Sequence, residues 1–159
     1  RSSLPYLNDL VGGVTVTVPN SDLAADYPEF QEGAAVTLTD ENIETFLRSR
    51  DTGEDFSNEG RMERQRAFMT AYTEQFKDLA KEDPNGLWNQ MEEMEDYVQT
   101  SITKNKYLDL AGTLEQVSFT PDNYCTPAGE DQLGELHDEF HVDEDALLEQ
   151  VISLFYEEI

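Results

Sequence analysis

The sequence predicts an α+β fold in which helix predominates: a short N-terminal β-ribbon, a central antiparallel αα-hairpin and C-terminal helices. Three observations lead there. Val14-Thr15-Val16-Thr17-Val18 alternates at the strand period of two, apolar residues recur at heptad-like spacing between about 57 and 82, and a wide apolar face runs from Leu147 to Ile159. At 159 residues the chain is expected to form a single domain, 1–159. A chain of that size can bury about 68–70 % of the surface exposed when unfolded. Within it, 1–39 reads as strand-rich, 40–106 as a helical hairpin region, and 107–159 as an acidic, base-free helical portion.

The first strand follows the breaker Gly12-Gly13 and ends in the turn residues Pro19-Asn20-Ser21-Asp22. A second is expected at Ala35-Val36-Thr37-Leu38-Thr39, after Gly33, with Thr39 or Asp40 capping a short helix through Ile43, Phe46 and Leu47. The long helix carries Met62, Met69, Tyr72, Phe76 and Leu79, a stripe interrupted at Gln65. Asp83-Pro84-Asn85-Gly86 is expected to break it, and a second helix from about 87 to 103 would fold back with Leu87, Met91, Met94 and Val98 on one face. Beyond Lys106 the expectations are a strand over Leu114 to Phe119, loops flanking Cys125 and a helix over Asp131 to Phe140. Asp143 would cap a last helix with Leu147, Leu148, Val151, Ile152, Leu154, Phe155 and Ile159 on its apolar face. So wide a face predicts heavy burial, within the domain or against a partner.

Ten Lys and Arg stand against 35 Asp and Glu, a net charge of −25. Charged residues make up 28 % of the chain, so the anomaly lies in the sign and not in the density. A surface of this sign repels phosphate backbones and anionic membranes, which argues against nucleic-acid binding. No apolar stretch approaches the ~18 residues that would insert this segment in a membrane. Lys77, Lys81, Lys104 and Lys106 are the only lysines. Acid excess with scarce lysine resembles the proteomes of salt-in halophiles, above all haloarchaea and their viruses. The bases are unevenly spread: Arg48, Arg50, Arg61, Arg64 and Arg66 crowd into nineteen positions, whereas 107–159 holds none. This arginine group is a candidate docking surface for an acidic partner, together with the apolar residues Leu148, Ile152, Phe155 and Ile159. Pairing of the arginines with the neighbouring acids Asp51, Glu54, Asp55, Glu59 and Glu63 is the competing reading.

The sharpest local constellation is His137-Asp138-Glu139-Phe140-His141, with both histidines of the chain at i and i+4. The zincin pattern requires Glu directly after the first His, and Asp138 stands there instead. Asp122-x-x-Cys125 followed by His137 and His141 approximates zinc-finger spacing, with a carboxylate in place of the first cysteine. Asp122, Cys125, His137 and His141 are therefore the candidate metal ligands, with Zn²⁺ the candidate ion. Otherwise no cofactor is expected beyond adventitious surface cations. No acidic loop has the glycine and glutamate positions of an EF-hand. The single cysteine excludes an intramolecular disulfide framework.

No nucleophile elbow, phosphate-cradling Gly-Lys-Ser/Thr loop or dinucleotide fingerprint is present, so the chain reads as a non-enzyme. The function that follows is a non-catalytic structural or assembly subunit of a larger complex, salt-adapted or a virion component. It would act through contacts with other protein subunits or with copies of itself. The alternatives are an acidic DNA-mimic decoy of a nucleic-acid-binding protein and an extracytoplasmic ligand-binding or sensor domain. The chain opens Arg1-Ser2-Ser3 without Met, which is expected of a processed N-terminus or of numbering that starts inside a longer protein. Salt-in cytoplasm, virion and extracellular space are all compatible with this composition.

Overall fold

A computed structural model describes residues 3–50, 58–94, 97, 99–114, 116–120, 123–135 and 138–156. The described chain begins with α1 (Leu4–Leu10), a helix that the strand-first reading of the N-terminus does not anticipate. Pro5 starts it, since its fixed φ and missing N–H suit the first helical turn. Gly12 and Gly13, at φ 76° and 91°, turn the chain out of it. Asn8, almost wholly buried, pins the turn: its Nδ2 donates to Leu38 O at 2.8 Å and its Oδ1 accepts from Val14 N at 2.9 Å.

Strands β1 (Thr15–Thr17) and β2 (Ala35–Thr37) then pair antiparallel, with Val16 opposite Val36. Val14, Val16 and Val18 all face inward at 1 % exposure or less, as period-two alternation requires. A helix is needed to cover so small a ribbon. That helix is α3 (Asn58–Glu82), packed with the short α2 (Ile43–Arg48) over Phe30, Leu38, Ile43, Phe46 and Phe68. A 25-residue helix is about 37 Å long, enough to serve two clusters. Phe76 and Leu79 of α3 touch both the valine-lined cluster and a second one of Leu10, Ala80, Leu87, Trp88, Met94 and Tyr107. The second cluster belongs to α4 (Pro84–Glu92) and α5 (Lys104–Leu114), whose Trp88 and Tyr107 rings lie 5.3 Å apart.

The structure corrects the expected architecture in several places. The central hairpin is not two long helices joined by a four-residue turn. Asp83 Oδ1 accepts from Gly86 N at 2.9 Å and Pro84 opens the next helix, so Asp83-Pro84-Asn85-Gly86 is a cap and a first turn and not a loop. That helix ends at Glu92, and the third helix in the bundle, α5, lies where the sequence pattern fades. Residues 116–120 form no strand. The helix expected over Asp131 to Phe140 is instead a β-hairpin, β3 (Gly129–Leu133) with β4 (Asp138–Val142), in which Gly129 pairs with Val142 and Asp131 with Phe140. Gly134 interrupts a helix there, while Phe140 and Val142 favour an extended chain.

The last helix, α6 (Glu144–Phe155), is capped by Asp143, whose Oδ1 accepts from Ala146 N at 3.0 Å. Its apolar face is not buried: Leu148, Ile152 and Phe155 are 58, 50 and 77 % exposed. No described helix is long and apolar enough to cross a membrane.

Candidate functional site

Arg64 decides how the arginine group is arranged. It sits one turn after Arg61 on α3 and its side chain is fully enclosed. Its Nε donates to Phe46 O at 2.9 Å and its Nη2 to Ser49 O at 2.5 Å, satisfying carbonyls at the end of α2 that helix geometry leaves free. Its Nη1 reaches Asn20 Oδ1 at 3.1 Å and Asp22 Oδ2 at 3.0 Å, in the turn that follows β1. Burial pushes its guanidinium down from the ordinary arginine range, and Asp22 opposes that. Asn20 completes the junction through Nδ2, which donates to Gly60 O at 3.0 Å and Glu63 Oε2 at 2.8 Å.

Around this anchor the other arginines differ. Arg61 is partly buried, and its Nε has no hydrogen-bond partner among the described residues. Burial lowers its affinity for a proton, and the nearby positive charges of Arg50 and Arg64 push the same way. Among the described residues no carboxylate lies within ion-pair distance of Arg50 or Arg61; Asp51, Glu54 and Asp55, three of the acids expected to pair with the arginines, lie outside the described residues. Exposed Arg48 meets Glu44 at 3.7 Å, a pair worth little in water. Arg66 leans away, donating to Thr126 Oγ1. The group thus separates into one internally neutralised guanidinium, Arg64, and two, Arg50 and Arg61, that no carboxylate meets at ion-pair distance among the described residues. In a chain of net charge −25 these arginines form a local cluster of positive side chains. Such a cluster favours a multiply charged anion, because guanidinium N–H forks match phosphate and carboxylate oxygens.

Two cavities lie between α1 and α3, one bordered by Arg48 and the other farther along both helices. The nearer, of about 560 Å³, is lined by Ser3, Leu4, Leu47, Arg48, Gln65, Phe68 and Met69. The farther, of about 620 Å³, is lined chiefly by Leu7, Leu10, Tyr72, Phe76, Trp88, Met91 and Met94, with Glu92, Gln99 and Thr100 at its polar margin. Leu4, Leu7 and Leu10 lie on one face of α1, and Gln65, Phe68, Met69, Tyr72 and Phe76 on one face of α3. From Gln65 to Phe76 is about 16 Å at the helical rise. Burial pushes the Tyr72 phenol up to about 12, while Glu92 places a carboxyl side chain at the polar margin. Each volume is within the usual range of about 300–1,000 Å³ for small-molecule sites.

Of the candidate metal ligands, His141 lies on strand β4 and not on a helix, exposed, 3.3 Å from Glu139 Oε2. Cys125 is exposed. Asp122 and His137 lie outside the described residues, as does Ile159. No group of three or more His, Cys, Asp or Glu side chains could hold a metal among the described residues. Sequence reasoning missed Asn20, Asp22 and the apolar seam. Gln65 was the available signal, a polar break in the apolar stripe at the place where the cavity wall turns toward Arg48.

The sequence profile of the LytR_cpsA_psr family matches residues 2–144. The chain belongs to that family. The fold is similar to Lin1025 from Listeria innocua, with a TM-score of 0.69, 24 % identity, and 96 % of this chain and 64 % of that one covered. It is similar to TagV from B. subtilis as well, with a TM-score of 0.65, 22 % identity, and coverage of 98 % and 62 %. Lmo1026 from Listeria monocytogenes follows at 0.55 and 21 %, covering 96 % and 61 %. The chain therefore spans a little over three-fifths of each of these structures. No curated protein matches it in sequence.

Membership in this family overturns the reading of the chain as a structural or assembly subunit or virion component, and with it the functional label drawn from halophile-like composition. Neither alternative, the DNA-mimic decoy nor the sensor domain, is what the family match points to. The match also lends no support to the expectation of a non-enzyme.

Proposed function

We propose that this chain carries the phosphate-binding part of an enzyme that attaches glycopolymers to the cell wall by phosphotransfer. Family membership supports this reaction class, since LytR_cpsA_psr proteins such as TagV attach cell-wall polymers. The observation that carries the reading is the arginine group at the junction of α2 and α3 in an otherwise strongly acidic chain: Arg48 lines the nearer apolar cavity, and among the described residues no carboxylate lies within ion-pair distance of Arg50 or Arg61.

In phosphotransfer an acceptor hydroxyl oxygen bonds to phosphorus while the bond to the leaving oxygen breaks, and negative charge spreads over the non-bridging oxygens. Arg50 and Arg61 would hold those oxygens, and their mutual repulsion would be relieved as the anion binds. Arg48, at the mouth of the nearer cavity, would meet the outer part of the donor. A glycopolymer is polar and has no use for a wall of Leu7, Phe76 and Trp88, so the seam would take an apolar group joined to the phosphate. Sugar would then extend toward solvent.

Dodecyl phosphate, inorganic phosphate and dodecyl maltoside test this by calorimetry against the purified chain. The account expects dodecyl phosphate to bind tightest, because it alone fills both the charged spot and the apolar seam. Equal binding of dodecyl maltoside and dodecyl phosphate would remove the role given to Arg50 and Arg61.

A further inference from the structure

We infer that Arg64 is a positioning residue for the anion site and does not itself hold the anion: it ties the Ser49 junction, which carries Arg48 and Arg50, to α3, which carries Arg61. The inference rests on the phosphate-binding reading above and adds a division of labour within the arginine group.

A guanidinium has five N–H donors. Four hydrogen bonds engage those of Arg64, to Phe46 O, Ser49 O, Asn20 Oδ1 and Asp22 Oδ2, and the side chain has no solvent exposure. An anion could reach it only by displacing a protein partner. Its charge is already balanced by Asp22 at 3.0 Å, so it adds little net attraction for an incoming phosphate. What it holds is informative. Ser49 stands between Arg48 and Arg50, and its carbonyl is fixed by Arg64 Nη2. Arg61 is three residues earlier on the same helix, on the same face. Asn20 and Asp22 brace the arrangement from the turn after β1, with Asn20 also bonded to Gly60 O. Four bonds from one side chain therefore fix the chain at Ser49, just past the end of α2, against α3 and the turn after β1.

Asp22→Asn discriminates by sign. If Arg64 were an anion ligand, removing its competing carboxylate would free the guanidinium and strengthen anion binding. A positioning role predicts the reverse, because the brace on Arg64 is weakened. Inorganic pyrophosphate is the probe, as two guanidiniums suit an anion of more than one charge. It is titrated into the wild-type full chain and into Asp22→Asn, Arg64→Lys and Arg61→Met, at a temperature where circular dichroism shows each folded.

Positioning predicts that Asp22→Asn binds about tenfold more weakly, the cost of roughly one charge-assisted hydrogen bond, with stoichiometry unchanged. A variant that merely unfolds in part would lower the stoichiometry instead. Arg64→Lys keeps the charge but not the fork, and is expected to lose at least as much as Asp22→Asn. Arg61→Met is expected to abolish binding. In the wild-type chain the Arg61 Nε–H resonance should move on adding pyrophosphate while that of Arg64 stays in place. Tighter binding by Asp22→Asn, full retention by Arg64→Lys, a shift at Arg64, or weakening seen solely as lost stoichiometry would each overturn the inference. Failure of the wild-type chain to bind pyrophosphate would overturn the phosphate-binding reading and this inference together.

Discussion

The carboxylate of Asp22 lies in the space that a side chain at Gly60 would occupy, so a Cβ at Gly60 would run into Asp22 Oδ2 and Cγ. Gly60 is three residues into α3, where alanine normally stabilises a helix by about 1 kcal/mol. Here that helical gain is opposed by displacement of the partner of a buried guanidinium, which costs about 1–3 kcal/mol. The displacement outweighs the gain. Gly60→Ala is expected to lower unfolding free energy by about 1 kcal/mol or more in urea denaturation, with the m-value unchanged.

Met91 lines the farther cavity but is remote along the seam from Arg61. Met91→Trp should fill part of that space without touching the arginines. Dodecyl phosphate binding is then expected to fall by tenfold or more, since each methylene kept from burial forfeits about 0.8 kcal/mol. Pyrophosphate binding should be unaffected. Calorimetry on the same sample reads both.

Tyr72 gives the fold an alkaline limit. Burial raises its phenol from 10.0 to about 12, so between those values the unfolded chain has released a proton that the folded chain still holds. Its contribution is fully present below pH 10 and fades as pH rises toward 12. Burial also raises the Tyr107 phenol, with Asp83 adding to the effect. Thermal melts of Tyr72→Phe are expected to lose less stability than wild type between pH 10 and 12, and the two should run parallel between pH 7 and 9.

Gly13 sits at φ 91°, where an added Cβ would also stand 3.3 Å from Leu38 O and Thr37 Cγ2. Gly13→Ala should cost about 1–2 kcal/mol from backbone conformation alone. Because Gln75 Nε2 donates to Gly13 O at 3.0 Å, the variant should also loosen the contact between β1 and α3. Amide exchange at Thr15, which donates to Gln75 Oε1 at 3.3 Å, would report it.

Local signals in this sequence are readable, and their assembly is not. The alternation of Val14 to Val18 marks the strand, and the stripe ending at Phe76 and Leu79 marks α3, because each depends on neighbours in sequence. Asp83-Pro84 misleads because the same residues serve a loop and a helix start. The hairpin of β3 and β4 misleads because its acidic stretch also suits a helix surface, and Pro5 obscures α1. The arginines are visible as a group between Arg48 and Arg66. Their division is not, since it depends on Asn20 and Asp22, which lie 44 and 42 residues before Arg64. The exposed apolar face of α6 has no account in the present fold.

The central claim is that Arg50 and Arg61 serve phosphotransfer of a glycopolymer to the cell wall. The most direct measurement follows a phosphate-linked glycopolymer, labelled with ³²P, into isolated cell wall in the presence of the protein or its Arg61→Met variant. The account predicts label covalently retained in the wall with wild type and reduced by about a hundredfold or more with the variant, the scale of losing one preorganised donor to the transition state. Equal incorporation by the two proteins would contradict it.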